Sequence, residues 1–523
     1  MFRATVLPSA LLVLLALPLA AAEPIDLEMV SRIRDEGLHR SQVMKTARHL
    51  TDEIGPRVTG SPQMKEANEW TRKQLADWGL ANAHLEAYPF GRGWSLSRVS
   101  VHLLRPYPLP LLALPKAYTP GTGGPVRGTL TQVKIESDEN LEPYKGKLAG
   151  KIVLLEISEA GRGREADPRV YSAEELDELS RFEIPEERDT DPRQRALERM
   201  RRRKLRNEFF SREKALATIE ASSFPWGIVR VGGGGSFTPG EDPGPPALGM
   251  ASEHYNQLAR LIEGDREVEL EIDVQARYHD DDLSSYNTLA EIPGTDRKGE
   301  VVMVGAHLDS WHAGTGATDN AAGVAVAMEA VRILRALDVK PRRTIRIALW
   351  SGEEQGMRGS SAYVAEHFGS RPEPEDPEQK ALVPYQRKPT GPFKPKPEHG
   401  RLSVYFNLDN GTGKIRGVYV EENSAAAAIF EEWIRPLRDL GATTVTMRRT
   451  MGTDHVPFLD AGLPGFQLIQ DGMEYLTHTH HSTMDVYDHL DREALMQSSV
   501  VLATFLYNAA TRPEKMPKGP ALP

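Results

Sequence analysis

At 523 residues the chain exceeds what one ordinary hydrophobic core supports, so two domains are the default expectation. Apolar content of 40% with 26% charged residues describes a globular chain, and a formal charge of −10 spread along it argues against a nucleic-acid partner. The absence of cysteine excludes thiol catalysis and every Cys-based zinc site, leaving His, Asp and Glu as metal ligands.

The N-terminus opens with Arg3, an apolar run from Ala10 to Leu19, and the small residues Ala20-Ala21-Ala22. This is the order of a secretory signal peptide cut after Ala22, too short for a bilayer span, and it predicts a secreted or periplasmic protein that leaves the membrane once cleaved. Leu27 to about Trp78 reads as helical, broken by a turn at Ile54 to Pro62, with Ser61 and Pro62 as a helix start. From Leu96 to about Val274 the texture changes to short strand-like runs with many Pro and Gly, among them Lys151–Leu155 and Trp226–Val231. Within it an acidic stretch, Glu174 to Glu187, and a basic one, Arg199 to Arg206, read as a solvated helical excursion. Gly232–Gly235 lacks the Lys-Ser or Lys-Thr of a phosphate loop and reads as a flexible turn. His279–Asp282 reads as a polar linker.

From Ser285 strands and helices alternate: strand Asn287–Ile292, strand Val301–Ala306, helix Asn320–Leu337, strand Thr344–Trp350, strand Leu402–Leu408, helix Ala425–Leu440, strand Gly465–Ile469 and helix Arg492–Ala509. The pattern predicts an α/β fold, a mostly parallel mixed sheet flanked by helices on both faces. A Pro-rich stretch, Ser370 to His399, interrupts it as a long surface loop.

Polar clusters stand where this pattern places strand ends. His307 and Asp309 follow one strand, and Glu353-Glu354 another, where an extended course would point the two side chains oppositely. Asp409 follows a third. Asp319 opens a helix, where a carboxylate is also an ordinary cap, and His478, His480 and His481 crowd before Asp485. Singly, each has a bland explanation as a cap, turn or solvated loop. Jointly they supply the N and O ligands of a pair of divalent ions at the end of the sheet where α/β folds build sites.

The segments Gly305-Ala-His307-Leu-Asp309-Ser310, Ala317-Thr-Asp319-Asn320, Ser351-Gly-Glu353-Glu354, Asn407-Leu-Asp409 and His480-His481-Ser482 resemble those of the co-catalytic dizinc exopeptidases related to bacterial leucyl aminopeptidase. Within that family the chain looks closest to the plasma glutamate carboxypeptidase branch, which carries a protease-associated domain inside the peptidase. The resemblance implies two zinc ions. His307, Asp319 and Asp409 would hold one, and Asp319, Glu354 and His481 the other. Glu353 would take a proton from the attacking water poised between them, and Asp309 would orient His307. His480 falls where some relatives have a Tyr that contacts the tetrahedral intermediate, while Asp454 and His455, in Gly452-Thr-Asp-His455-Val-Pro-Phe458, resemble a loop on the substrate side of the cleft. His312 and His478 read as bystanders.

The domains expected are a signal peptide (1–22), an N-terminal part of the peptidase (23–95), an inserted β-rich protease-associated domain (96–280), the main peptidase part (281–515, with the Pro-rich surface loop at 370–400) and a tail (516–523). The function expected is exopeptidase action on peptides, from the amino end, with carboxypeptidase or dipeptidase action as the alternative. A mono-zinc glutaminyl-cyclase-like transferase and a non-catalytic receptor-like protein are the remoter readings, and a homodimer is a candidate assembly. A free terminal carboxylate would need an arginine, and nothing in the sequence aims Arg57, Arg416 or Arg448 at the cleft.

Overall fold

The structure, a computed structural model, describes residues 23–135, 138–157, 169–181 and 192–520. The expected signal peptide and the last three residues of the tail lie outside these. Among the described residues no helix is long and apolar enough to cross a membrane.

The main sheet has eight strands: β1 (Ala81–Pro89), β2 (Ser284–Ile292), β3 (Arg297–His307), β4 (Arg343–Trp350), β5 (Leu402–Asn407), β6 (Ile415–Tyr419), β7 (Thr444–Thr446) and β8 (Gly465–Gln470). Their order is β1-β2-β4-β3-β5-β8-β6-β7. The central pairs β4–β3, β3–β5 and β5–β8 are parallel, whereas β1–β2, β2–β4 and β8–β6 are antiparallel. Alternation along the central strands sorts side chains between two cores. Val302, Val304, Ile345, Ile347, Val404 and Phe406 face one side, where the helices Ala322–Ala336 and Arg492–Thr511 pack. Met303, Ala348, Trp350 and Tyr405 face the other, against Tyr363 and Val364 of the helix Arg358–His367 and Phe458. Covered faces of this kind explain the continuous apolar runs read in the sequence.

The topology positions the site. From β3 the chain passes to β4 on one side and later to β5 on the other, so the crevice beyond the carboxyl ends of these strands is a topological switch point. His307 ends β3 in register with Trp350, and Gly305 pairs with Asn407.

A second eight-stranded sheet runs from Gly93–Arg105 to Glu269–His279, with its own core of Leu103, Leu154, Ile219, Leu248, Leu270 and Ile272. Two expectations within it are corrected. Trp226–Val231 is no strand: it runs out to the ligand loop, where Val231 N–H donates to the His481 carbonyl (3.0 Å) and Thr483 N–H to that of Val229 (3.0 Å). Nor is Gly232–Gly235 a free turn. A Cβ on Gly235 would lie 1.6 Å from the Tyr118 carbonyl oxygen, so the glycine is there to let two backbones touch.

Candidate metal centre

His307 is buried at the end of β3. Its Nδ1 lies 2.9 Å from the carbonyl oxygen of Asp309. An N–H donated there leaves the Nε2 lone pair free to face outward. Nε2 stands 3.2 Å from both Asp319 Oδ1 and Asp409 Oδ1. Across Asp319, the other oxygen, Oδ2, is 3.1 Å from His481 Nε2 and 3.7 Å from His480 Nε2. His481 Nε2 is in turn 2.9 Å from Glu354 Oε2. Two clusters thus share Asp319: one with His307 and Asp409, one with the paired histidines.

Asp319 is not the helix cap that its position suggested. Asn320 takes that role, its Oδ1 accepting from Gly323 N–H (3.0 Å) while its Nδ2 donates to the Leu408 carbonyl (2.9 Å) beside Asp409. The loop from β3 to Asp319 is held by Arg57, a fully buried guanidinium that donates to five carbonyls: Leu308 (2.7 Å), Leu50, Gly55, Thr315 and Gly316. Gly316 sits at φ +63°, with Arg57 and Ser310 too close for any side chain. Burial lowers the Arg57 pKa to about 10, opposed by Asp485, Asp309 and Asp319. Asp485 accepts from the N–H and hydroxyl of Thr318, and burial, reinforced by Asp319, raises its pKa to about 7.

Asp309 acts on both glutamates as well as on His307. Its backbone carbonyl meets the imidazole, and its carboxylate accepts from Thr59 Oγ1 (2.9 Å), Glu353 N–H (3.2 Å) and Glu354 N–H (3.3 Å). Those glutamates do not lie in an extended segment. Gly352, at φ +74°, turns the chain, and Gly356 N–H closes on the Glu353 carbonyl at 2.7 Å. The turn still separates the two side chains: Glu354 reaches His481, and the carboxyl of Glu353 faces the field of His307, Asp409 and Asp454.

The electrostatics describe a cluster short of positive charge. Burial drives Glu353 well above the usual carboxylate range, with Asp409, Asp454 and Glu354 pushing the same way and only His307 opposing. Burial likewise lifts Glu354 to about 7. Burial opposes charge on His481, yet Glu354 and Asp319 outweigh it and raise its pKa to about 10. Protons on these imidazoles stand where cations fit. Asp319 Oδ2 and Glu354 Oε1 are buried oxygens with no hydrogen-bond donor. Nitrogen and oxygen donors in two sets joined by one carboxylate suit a pair of zinc ions.

Residues 287–506 match the model of Peptidase family M28. The chain is 25% identical over 471 residues to Carboxypeptidase Q of Mus musculus, across 90% of this chain and 86% of that one. The chain is an exopeptidase, and its residues 287–506 are similar to the M28 peptidases. It is also 28% identical over 225 residues to Aminopeptidase YwaD of Bacillus subtilis, 42% of this chain and 43% of that one. In fold the peptidase is similar to a peptidase M28 precursor from Shewanella amazonensis (TM-score 0.68, 23% identity, 95% of this chain and 99% of that one). It is similar too to BSAP, a zinc aminopeptidase from Bacillus subtilis (TM-score 0.56, 19% identity, 90% and 94%). The family match points to peptides as substrates.

The remaining candidates part company. Asp454 is buried within the field of His307 and Asp409, accepts from Ser360 Oγ at 2.5 Å, and keeps Oδ2 without a donor. His455, expected on the substrate side, instead turns to the Thr450 carbonyl (3.1 Å) and Glu421 (3.6 Å). As the residue immediately before a short helix, it points away from its neighbour Asp454. His480 stacks on His481 with ring centres 3.7 Å apart, and its Nδ1 faces Arg230 Nη2 at 2.9 Å. A guanidinium only donates, so Nδ1 accepts and Nε2 carries the proton. His312 is tied to the Pro115 carbonyl (2.8 Å), and burial lowers its pKa to about 4; His478 stacks on Trp226.

Sequence reasoning missed Arg57, Thr59 and Arg230. The Ile54-Gly-Pro-Arg57-Val-Thr59 turn was a visible signal, but three of the carbonyls that Arg57 serves and the Asp309 carboxylate that Thr59 meets are about 250 residues away. Arg230 lay in a segment read as an ordinary strand.

Proposed function

We propose that this peptidase hydrolyses terminal bonds of short peptides, with Glu353 as the proton carrier. The carrying observation is that Asp319 faces His307 with one oxygen and His481 with the other, while Glu353 stands beside the set without being drawn into it. His307, Asp319 and Asp409 would hold one zinc and Asp319, Glu354 and His481 the other. When bound, the ions supply Lewis-acid polarisation of the water and of the scissile carbonyl. Glu353 accepts a proton from the attacking water at a carboxylate oxygen and returns it to the departing amine. Asp309 holds the Glu353–Glu354 turn and, through its carbonyl, His307. Neutral His480, fixed by Arg230, donates from Nε2 toward the oxygen on which negative charge develops.

A cavity of about 420 Å³ adjoins Glu354, with Trp311 in its wall. That size is within the range of roughly 300–1,000 Å³ typical of small-ligand sites, which supports a short peptide as substrate. Cutting from the amino end is the direction we propose, in a secreted or periplasmic protein whose second sheet is the inserted protease-associated unit. The test is to load the purified chain with zinc, offer it a tetrapeptide of four different residues, and follow products by mass spectrometry with and without chelator. Chelator-sensitive release of the first residue supports the proposal. Release of the last residue shifts it to a carboxypeptidase, and internal fragments alone overturn it.

A further inference from the structure

The basic run Arg199–Arg206 does not simply face solvent. It lies in a helix, Pro192–Arg212, whose residues Arg199 and Arg203, one turn apart on the same face, line the cavity beside Glu354. The same cavity is lined by Arg358, which donates from Nε to the Gln355 carbonyl (3.2 Å) and lies 4.8 Å from the centre of the Phe237 ring. Three guanidinium groups therefore surround a space whose lining contains one carboxylate, Glu354, already engaged with His481. Arg199 and Arg203 form no hydrogen bond or ion pair with any described residue. The Gln355 side chain, in the same wall, has both amide atoms buried and without partners. Burial lowers the Arg358 pKa, and Arg203 and Arg387 push it further the same way against Tyr88 and Tyr118; burial lowers Arg203 likewise, with Glu241 opposing.

We propose that Arg199, Arg203 and Arg358 form a subsite for a substrate carboxylate, with the Gln355 amide as an added donor. Guanidinium forks match carboxylate geometry, and charge-assisted bonds are the strong ones in a partly desolvated site. The carboxylate is either the C-terminus of a short peptide or an acidic side chain, held one cavity length from the Glu353–Glu354 turn. The arginines that the sequence offered for this purpose are occupied elsewhere: Arg57 by backbone carbonyls, Arg416 by Asp471, and Arg448 by the carbonyls of Glu178 and Arg181.

This subsite rests on the hydrolase reading, and its test separates the two. In zinc-loaded wild type and in R199A/R203A, whose changes sit on an exposed helix face, kcat/KM is measured for Leu-Gly against Leu-Gly-NH2 and for Leu-Asp-NH2 against Leu-Asn-NH2. Melting curves check the fold of both proteins. The carboxylate-to-amide ratio is expected to fall at least about tenfold in the variant, the loss for removing charged hydrogen bonds. A fall in the first pair assigns the peptide C-terminus, and a fall in the second an acidic side chain. Unchanged ratios in both pairs overturn the subsite. If wild type cleaves none of the four, the hydrolase reading fails, and calorimetry with N-acetylglycine and N-acetylglycinamide decides the subsite alone. Binding of the acid that R199A/R203A abolishes upholds it; equal binding of acid and amide, or of the acid by both proteins, overturns it.

Discussion

The two sides of the cleft are built on opposite principles. The floor, at the carboxyl ends of β3, β4 and β5, carries its chemistry on side chains whose every approach is tied down. Arg57 fixes the loop to Asp319, Asn320 joins that loop to Asp409, and Asp309 pins both glutamate N–H groups. The wall formed by the helix Pro192–Arg212 and the residues near Leu382 carries long guanidinium groups with few partners. The difference teaches where precision is spent. Charge transfer demands fixed geometry, whereas recognition of a peptide's charge tolerates, and benefits from, side chains that settle on the ligand.

The largest effect should come from the floor's one uncommitted carboxylate. Glu353→Gln removes a proton acceptor and no proposed metal ligand, so turnover should drop by about 10²–10⁴-fold while zinc content, read by atomic absorption, stays at the wild-type level. Activity within a few-fold of wild type would remove Glu353 from the reaction.

Next is the anchoring of the floor. Arg57→Met would strand three buried and two part-buried carbonyls and cost about 3–5 kcal/mol, read by urea unfolding of the metal-free protein. Zinc affinity should fall with it, because the His307-to-Asp319 loop loses its clamp. A loss under about 1 kcal/mol would show that the loop holds itself.

The metal ligands give a narrower contrast. His481→Ala should reduce bound zinc from two equivalents to one, whereas His480→Ala should keep both and lower kcat with little change in KM. Equal zinc content in the two variants would move the ligand role to His480.

The position of much of the floor was legible in the sequence, because His307, Glu354 and Asp409 follow apolar runs that burial on both faces makes recognisable. Their roles were not in that pattern and came from the clusters taken together and from the family resemblance. The choice between Asp319 and Asn320 as cap was not legible, since both residue types cap helices equally well and only the fold decides which faces the histidines. The wall escaped for a different reason. Arg199 and Arg203 recur at helical spacing among other arginines, so no periodicity marks them. Their place depends on a loop, near Leu382, that is distant in sequence. Arg230 escaped because Trp226–Val231 has strand composition, yet its glycine neighbours and its partner at His481 carry it out of the sheet.

The smallest effect tests how the Pro-rich segment is moored. His367 lies between Glu86 of β1, 3.0 Å from Nε2, and Glu398 at the end of that segment, 3.3 Å from Nδ1, with its ring on Tyr363. The Glu86 contact, opposed by burial and aided by Glu398, raises the His367 pKa above its ordinary value. A folded-state pKa above the unfolded one means stability that is fully present below the unfolded value near 6.5 and lost as pH rises through the folded value. Comparing wild type with His367→Gln by urea unfolding should show wild type ahead by about 1 kcal/mol or less near pH 6, the partly exposed pairs being screened by solvent. The gap should close as pH rises from the unfolded value through the raised folded one. A gap that stayed constant over that range would mean that His367 serves by packing on Tyr363 and not by charge, and the base of the Pro-rich segment would then be closed by the backbone pairing of Gly369 and Ser370 with Lys394 and Pro395.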